Sequence, residues 1–457
     1  MSVPSTKGVR RYPLPAVGWK VLVAGLLIRE SFSFWTGHPY DFEIWVRTGA
    51  VVAHGVNPYI SFWPPVSPVS FAFLQQTLPS AAYLPFWPLL LGGLYHFWEF
   101  AGGGDRFVLY FLLKQPPIIG DVVTAYLLFQ VVRRWSGTVA AGLAALSFWS
   151  FFPYAIIVSS IWGQFDSLMV VVLLSLLLVQ GPLERNLVNG VGIFVKYLTA
   201  IFLPLEFFRE RGARRAWFLL ALAIPLGLTI LTFFAMGWGF HGIQASATSE
   251  THGGGGGMNY AFSLSFGSMP KVVSQIPYFY DIVGYLWVPA VIIGGWIAAR
   301  WVRPGGPSAE LRALMLVTTL FLLTRWGLNE QYMLYIFSLL LIDVLSFHPQ
   351  RRQFLYAIIG LAFAFLLVNN TLGIWFPSPL GPGFQNYVSG IDNSPVLGTV
   401  RVFTLLGISL MMTVTLIQLI WVFFRDEPSP RPWFLPPFHR SSAGGELTAA
   451  RHQPSGP

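Results

Sequence analysis

The feature that most constrains this chain is a succession of apolar stretches separated by short basic or Pro-rich segments. They recur at about 17–35, 107–132, 138–157, 166–181, 216–236, 277–300, 311–325, 331–348, 354–370 and 399–424. About 20 apolar residues in a helix is the length that crosses a hydrocarbon core. Composition agrees where it matters: 54% of the 457 residues are hydrophobic and 10% are charged, against about 25% charged in an ordinary soluble domain. So few charges cannot solvate the roughly three soluble domains that the length would otherwise allow. The expected fold class is an all-α polytopic membrane protein. The chain has no cysteine, which excludes disulfides, thiolate metal sites and cysteine nucleophiles.

A net charge of +9 would suit a nucleic-acid surface only if it formed one. Instead the basic residues sit at the ends of apolar runs: Lys7, Arg10 and Arg11, then Arg133 and Arg134, Arg209 to Arg215, Arg300 to Arg303, Arg351 and Arg352, and Arg425 onward. Their alternation follows the positive-inside rule, so the charge orients the protein and implies no nucleic-acid partner. Both termini are then cytoplasmic. Residues 1–16 form a cytoplasmic N-terminus, 17–424 the membrane domain and 425–457 a disordered tail. The first span, without a small-residue cleavage site, reads as an uncleaved anchor.

The first outer loop, 36–105, is broken by prolines into apolar pieces suited to helices lying along the outer interface. The stretch 190–208 has basic or polar turns at both ends, which fits a short re-entrant hairpin or an uncounted turn. Two further outer loops are 237–276, where Gly253 to Gly257 read as a mobile linker, and 371–398.

Ionisable residues in a bilayer are costly, about 2.5 to 3.5 kcal/mol each on insertion scales, so each needs a partner or a task. Here they map to the outer side: Arg29, Glu30, Asp41, Glu43, Lys114, Asp121, Asp166, Arg325 and Glu330. Arg29 and Glu30 could simply snorkel. Lys114 and Asp121, about 10 Å apart on one helix face, could make structural contacts, and the Trp162–Ser167 segment WGQFDS could be an interfacial Trp with a helix cap. The segment TRWGLNEQY from Thr324 to Tyr332 is a polar turn between apolar runs. Asp41 and Glu43 would face one way only on an extended backbone; one could then act as a general base while the other binds a cation or a sugar hydroxyl. His54 reads as a surface residue.

These segments, in their order, resemble the GT-C superfamily of membrane glycosyltransferases that use polyprenyl-phosphate sugars. The carriers are Asp41-Phe42-Glu43 followed by HGVNPY, then Trp63-Pro64-Pro65-Val66, KQPPIIGDVVTAYLL at 114–128, VKYLTAIFLP at 195–204 and NEQYMLY at 329–335. The last three are similar to the mannosyltransferase branch that includes the enzyme adding the first mannose in glycosylphosphatidylinositol synthesis. That branch has Asp-x-Asp where this chain has Asp-Phe-Glu, which leaves a metal role open; WGQFDS is closer to other members.

The resemblance implies a GT-C type helical bundle that transfers a hexose, mannose by the branch. The donor would be a polyprenyl (dolichyl) phosphate sugar, and the acceptor a lipid or glycan on the extracytoplasmic side. It implies inversion with Asp41 as general base, aided by Glu43. Arg325, Lys114 and Arg29 would hold the donor phosphate, with Lys196 a weaker candidate. Asp121, Trp162, Gln164, Asp166, Asn329, Glu330, Gln331 and Tyr332 would bind substrate. A divalent cation, Mg or Mn, would be held by Asp41 and Glu43 if by any residues. The membrane would be the plasma membrane in a prokaryote or the endoplasmic reticulum in a eukaryote. Two other readings compete: a secondary transporter or lipid flippase, expected to carry polar groups near the midplane and on both leaflets, and a non-catalytic scaffold.

Overall fold

The computed structural model describes residues 12–60, 64–66, 69–70, 83–240, 285–302, 305–325, 328–392 and 394–425. The basic cluster through Arg11, Trp63, the glycine run at 253–257 and the tail from 426 lie outside them. All regular structure among the described residues is helical. In chain order the helices are α1 (Ala16–Ser33), α2 (Asp41–Ala53), α3 (Phe86–Phe100), α4 (Arg106–Ser136), α5 (Val139–Ser150), α6 (Pro153–Ile156), α7 (Asp166–Leu178), α8 (Pro182–Val195), α9 (Leu203–Arg209), α10 (Phe218–Ala235), α11 (Trp287–Val302), α12 (Pro307–Thr324), α13 (Met333–Ser346), α14 (Arg352–Asn369), α15 (Pro382–Asp392) and α16 (Pro395–Arg425).

Among the described residues, five helices are long and apolar enough to cross a membrane: Arg106–Ser136, Gly212–Ala235, Pro307–Thr324, Pro349–Asn369 and Pro395–Arg425. The pair Val139–Ser150 and Pro153–Trp162, bent by 44°, makes a sixth. This is an integral multi-pass membrane protein of the expected all-α class. The first expected span forms as α1, yet it carries Lys20, Arg29 and Glu30, and α7 has only 13 residues.

Local chemistry sets the helix ends. The Asp105 side chain caps α4 by accepting from the Phe107 N–H, Gly137 ends it in the left-handed region, and Thr138 caps α5 by accepting from Ala141. Such caps satisfy groups that the helix itself leaves unpaired. The stretch 190–208 is not one helix. Extended backbone at Lys196 (φ −156°, ψ 116°) separates α8 from a 3₁₀ turn, Tyr197–Phe202, and α9. Arg185 at the start of α8 forms a bidentate pair with Glu206 in α9, so the two arms return to the same end, as a re-entrant hairpin requires.

The bundle has two chemically distinct ends. At one, Arg185 donates to Leu176 O and pairs with Glu310, Arg209 joins Glu310, Arg134 donates to Leu178 O, and Arg351 pairs with Asp343. This is the basic end that the charge pattern picks out. The opposite end collects the starts of α2, α7 and α13 and the ends of α12 and α14. Between the ends, α4 packs against α5 and α7, α2 against α3, α8 against α10, α11 against α9 and α12, and α14 against α16.

Arg29 does not snorkel. It is 1% exposed and pairs with Asp121 at 3.0 Å, donating also to the carbonyls of Gly25, Trp149 and Ser150. Gly25 permits this approach of α1 to α5, since a Cβ there would lie 2.9 Å from Ser150 Cβ and O. Asp121 further accepts from Trp149 and Ser159. Both ions therefore have partners, which is what keeps buried charge tolerable.

Candidate active site

Asp41 opens α2 and reaches across to the segment that follows α6. There a π-helical turn, Ile157–Trp162, ends at Gly163 in the left-handed region (φ 90°). A Cβ at Gly163 would stand 2.6 Å from the Phe42 ring, so only glycine lets this turn meet α2. The reversal aims both flanking side chains at one atom: Trp162 Nε1 donates to Asp41 Oδ2 at 2.9 Å, and Gln164 Nε2 donates to it at 2.8 Å. With two donors on Oδ2, the second oxygen, Oδ1, is left for chemistry. The Asp41 side chain keeps 25% exposure.

Glu43 is placed differently from the sequence expectation. Residues 41–53 are helical, not extended, so the two carboxylates diverge. Glu43 is fully buried and pairs with Arg47 one turn on at 2.7 Å. Phe42, Trp45, Val46 and Ala50 are buried beside it, a helical spacing that was present in the sequence. The pair does not fit a shared divalent cation: Glu43 is committed to Arg47, and Asp41 Oδ2 is committed to Trp162 and Gln164. Among the described residues no group of three or more His, Asp or Glu side chains converges.

Beside Asp41 lies a polar cluster only partly named by the sequence. The His38 ring stacks on Trp162 with centroids 5.0 Å apart, and its Nδ1 accepts from the backbone N–H of Asp41 at 3.1 Å. Burial pushes the imidazole below its ordinary range, partly offset by the Asp41 charge and a hydrogen bond with Asn370. Glu330, in the 3₁₀ turn before α13, accepts from Asn369 at 2.6 Å and Asn370 at 3.4 Å. Burial pushes its carboxyl up to about 7. Tyr154 donates to the Glu330 carbonyl. His38, Asn369 and Asn370 were missed because each is unremarkable alone; the signal was His38 lying three residues before Asp41.

A second buried group adjoins through the same WGQFD segment. Asp166 Oδ1 accepts from Lys196 Nζ at 2.9 Å and Tyr335 OH at 2.6 Å. Lys196 sits where α8 breaks, and its ammonium lies 5.1 Å from the Tyr332 ring centroid; the Arg325 guanidinium lies 5.6 Å from the same centroid. Two buried cations thus converge on Tyr332. Asp166 Oδ2, Gln164 Oε1 and Gln331 Oε1 are buried acceptors without a protein hydrogen-bond partner among the described residues. Asn329, at the start of the same turn, is exposed.

Two of the expected phosphate ligands are occupied elsewhere. Arg29 and Asp121 satisfy each other in the interior. Lys114 donates to Thr36 O at 2.5 Å and Thr36 Oγ1 at 3.0 Å and lies over the Phe42 ring. It pins the segment leading to Asp41. His54 is on the surface, 3.6 Å from Glu99.

No curated protein sequence matches the chain. Residues 108–324 match the model of glycosyltransferase family 87. That stretch contains WGQFD, Lys196 and the end of α12 at Arg325's threshold, and the match supports a membrane glycosyltransferase.

Proposed function

We propose that the protein transfers a hexose, mannose by the sequence resemblance, from a polyprenyl-phosphate donor to a lipid or glycan acceptor on the extracytoplasmic face, with inversion. The observation that carries this reading is the state of the carboxylates. Asp121, Asp166 and Glu43 are fully buried and paired with Arg29, Lys196 and Arg47, whereas Asp41 is partly exposed with one oxygen uncommitted.

In this mechanism the acceptor hydroxyl gives its proton to Asp41 Oδ1 as its oxygen bonds to the anomeric carbon. The bond from that carbon to the phosphate oxygen breaks on the opposite face, and polyprenyl phosphate leaves with the electron pair. Trp162 and Gln164 fix the carboxylate so that no reorganisation is needed during transfer. Lys196 and Arg325, whose charges both lie near the Tyr332 ring, are the groups proposed to stabilise charge on the leaving phosphate, in preference to Lys114 and Arg29. The buried acceptors of Gln164, Asp166 and Gln331 suit sugar hydroxyls, which would satisfy them. No step is assigned to a metal.

The test is transfer of label from a synthetic polyprenyl-phosphate mannose to a membrane lipid extract. Asp41→Asn, nearly isosteric but unable to take a proton, should lose transfer by about 10²-fold or more while still binding donor. Most activity surviving in that variant would sink the mechanism.

A further inference from the structure

We propose that His38 is the positioning residue of this site, acting as a neutral imidazole that carries its proton on Nε2 and fixes the start of α2 through Nδ1. The proposal rests on the reading of Asp41 as general base and adds to it the group that sets that base in place.

The geometry comes from both sides of the ring. Nδ1 accepts two backbone N–H groups, those of Tyr40 at 3.3 Å and Asp41 at 3.1 Å. These are the N–H of the residue before α2 and that of its first residue, groups that have no partner within the helix. The usual capping oxygens are lacking, since the preceding residue is Tyr40 and makes no side-chain cap. A ring nitrogen that accepts two N–H groups carries no proton, so the proton of the neutral ring is on Nε2. With Nδ1 filled, the hydrogen bond of the ring with Asn370 is assigned to Nε2. Asn370 Nδ2 is spent on Leu366 O at 2.9 Å and Glu330 Oε1 at 3.4 Å, which leaves its Oδ1 as the acceptor for Nε2–H.

The face of the ring is also held. It stacks on Trp162, the donor to Asp41, and lies against Trp375 and Phe376 with centroids 5.4 and 6.2 Å away. The backbone adds Gly37 N–H to Phe376 O at 2.8 Å and His38 N–H to Trp162 O at 3.3 Å. The ring therefore joins α2, which carries Asp41, the π turn, which donates to it, and the segment after α14 at one point. The titratable groups that face it are Asp41, 3.9 Å from Nδ1, and Glu330 through Asn370. Its other ring contacts are Trp162, Trp375, Phe376 and Asn370, and the Lys114 cation is held on Thr36 in the segment leading to it. Protonating Nδ1 would remove the acceptor for α2 and set a cation against the base, so transfer should fall when the ring becomes charged.

Three substitutions separate the parts. Asn places a side-chain acceptor where Nδ1 stands, Gln reaches only toward the Nε2 side, and Ala removes both. With labelled polyprenyl-phosphate mannose as donor, His38→Ala and His38→Gln should lower kcat by about 10- to 100-fold, the cost of a displaced catalytic group, with the donor KM unchanged. His38→Asn should recover most of that loss and abolish the acidic limb of the pH profile that His38 imposes. Wild-type kcat and pH profile in His38→Ala, or recovery by Gln and not by Asn, would overturn the proposal.

A measurement independent of turnover is NMR of isotope-labelled histidine in the full-length protein, with His38 assigned by its loss in His38→Asn. The expected state is bare Nδ1 and protonated Nε2 at neutral pH; a proton on Nδ1 would overturn the assignment. If Asp41→Asn transfers normally while the tautomer is as stated, the base reading fails and the His38 geometry stands. If Asp41→Asn is inactive and His38→Ala is normal, the positioning role fails alone.

Discussion

Lys196 and Asp166 meet across 30 residues of sequence with both side chains fully buried. Removing one partner of such a pair strands a charge, at a cost of about 3–5 kcal/mol. Lys196→Met should therefore lower the thermal midpoint in detergent, and adding Asp166→Asn should restore most of it without restoring transfer. A double variant that regains transfer would remove Lys196 from the donor phosphate. Glu330 offers a pH test. Its carboxyl, pushed up to about 7 from an ordinary 4.5, binds its proton in the folded state where the unfolded chain has lost it. Stability from this group is thus full below pH 4.5 and is lost as pH rises to about 7. The difference in midpoint between wild type and Glu330→Gln should shift in that window and level off above it; a constant difference would contradict the assignment. At this scale the sequence indicated which residue types mattered, but it did not show their state. Arg29 looked like an interfacial cation because its partner, Asp121, lies 92 positions away.

The π turn and α2 decide the site at the scale of elements. Gly163→Ala combines a left-handed backbone with a Cβ 2.6 Å from Phe42, so it should tilt Trp162 and Gln164 off Asp41. Transfer should fall by about 10-fold or more with helical content unchanged by circular dichroism; wild-type transfer would show that the turn does not set the base. WGQFD was legible as a polar interruption of apolar runs. The widened turn was not, because a π-helical bond pattern leaves no periodic trace in six residues. At the acidic motif the condition for a shared direction, an extended backbone, is not met, and Phe42, Trp45, Val46 and Gly49 already lay on one helical face. Extended backbone at Lys196 likewise divides the interval 190–208 into two arms, a break that the charge pattern did not show.

For the whole molecule, orientation decides which leaflet the site serves. With the basic end in the cytoplasm, Asp41 faces outward, as a donor flipped to the outer leaflet would require. The cysteine-free chain allows this to be read by an impermeant thiol reagent in intact cells. Cysteines at the exposed positions Ile60 and Ser389 should label from outside, and one at Ala213, beside the basic cluster of 209–215, should label only after permeabilisation. The reverse pattern would place the site in the cytoplasm.

Residence in a bilayer, the basic end and the segments that carry polar chemistry follow from the sequence alone, because hydrophobic length and charge placement are local properties that each stretch satisfies by itself. Tertiary structure decided which polar groups are spent and which remain. Asp41 meets Trp162, Arg29 meets Asp121 and His38 meets Asn370 across 121, 92 and 332 positions respectively. A buried charge or hydrogen-bonding group is defined by its partner, and the partner is set by which helices pack together.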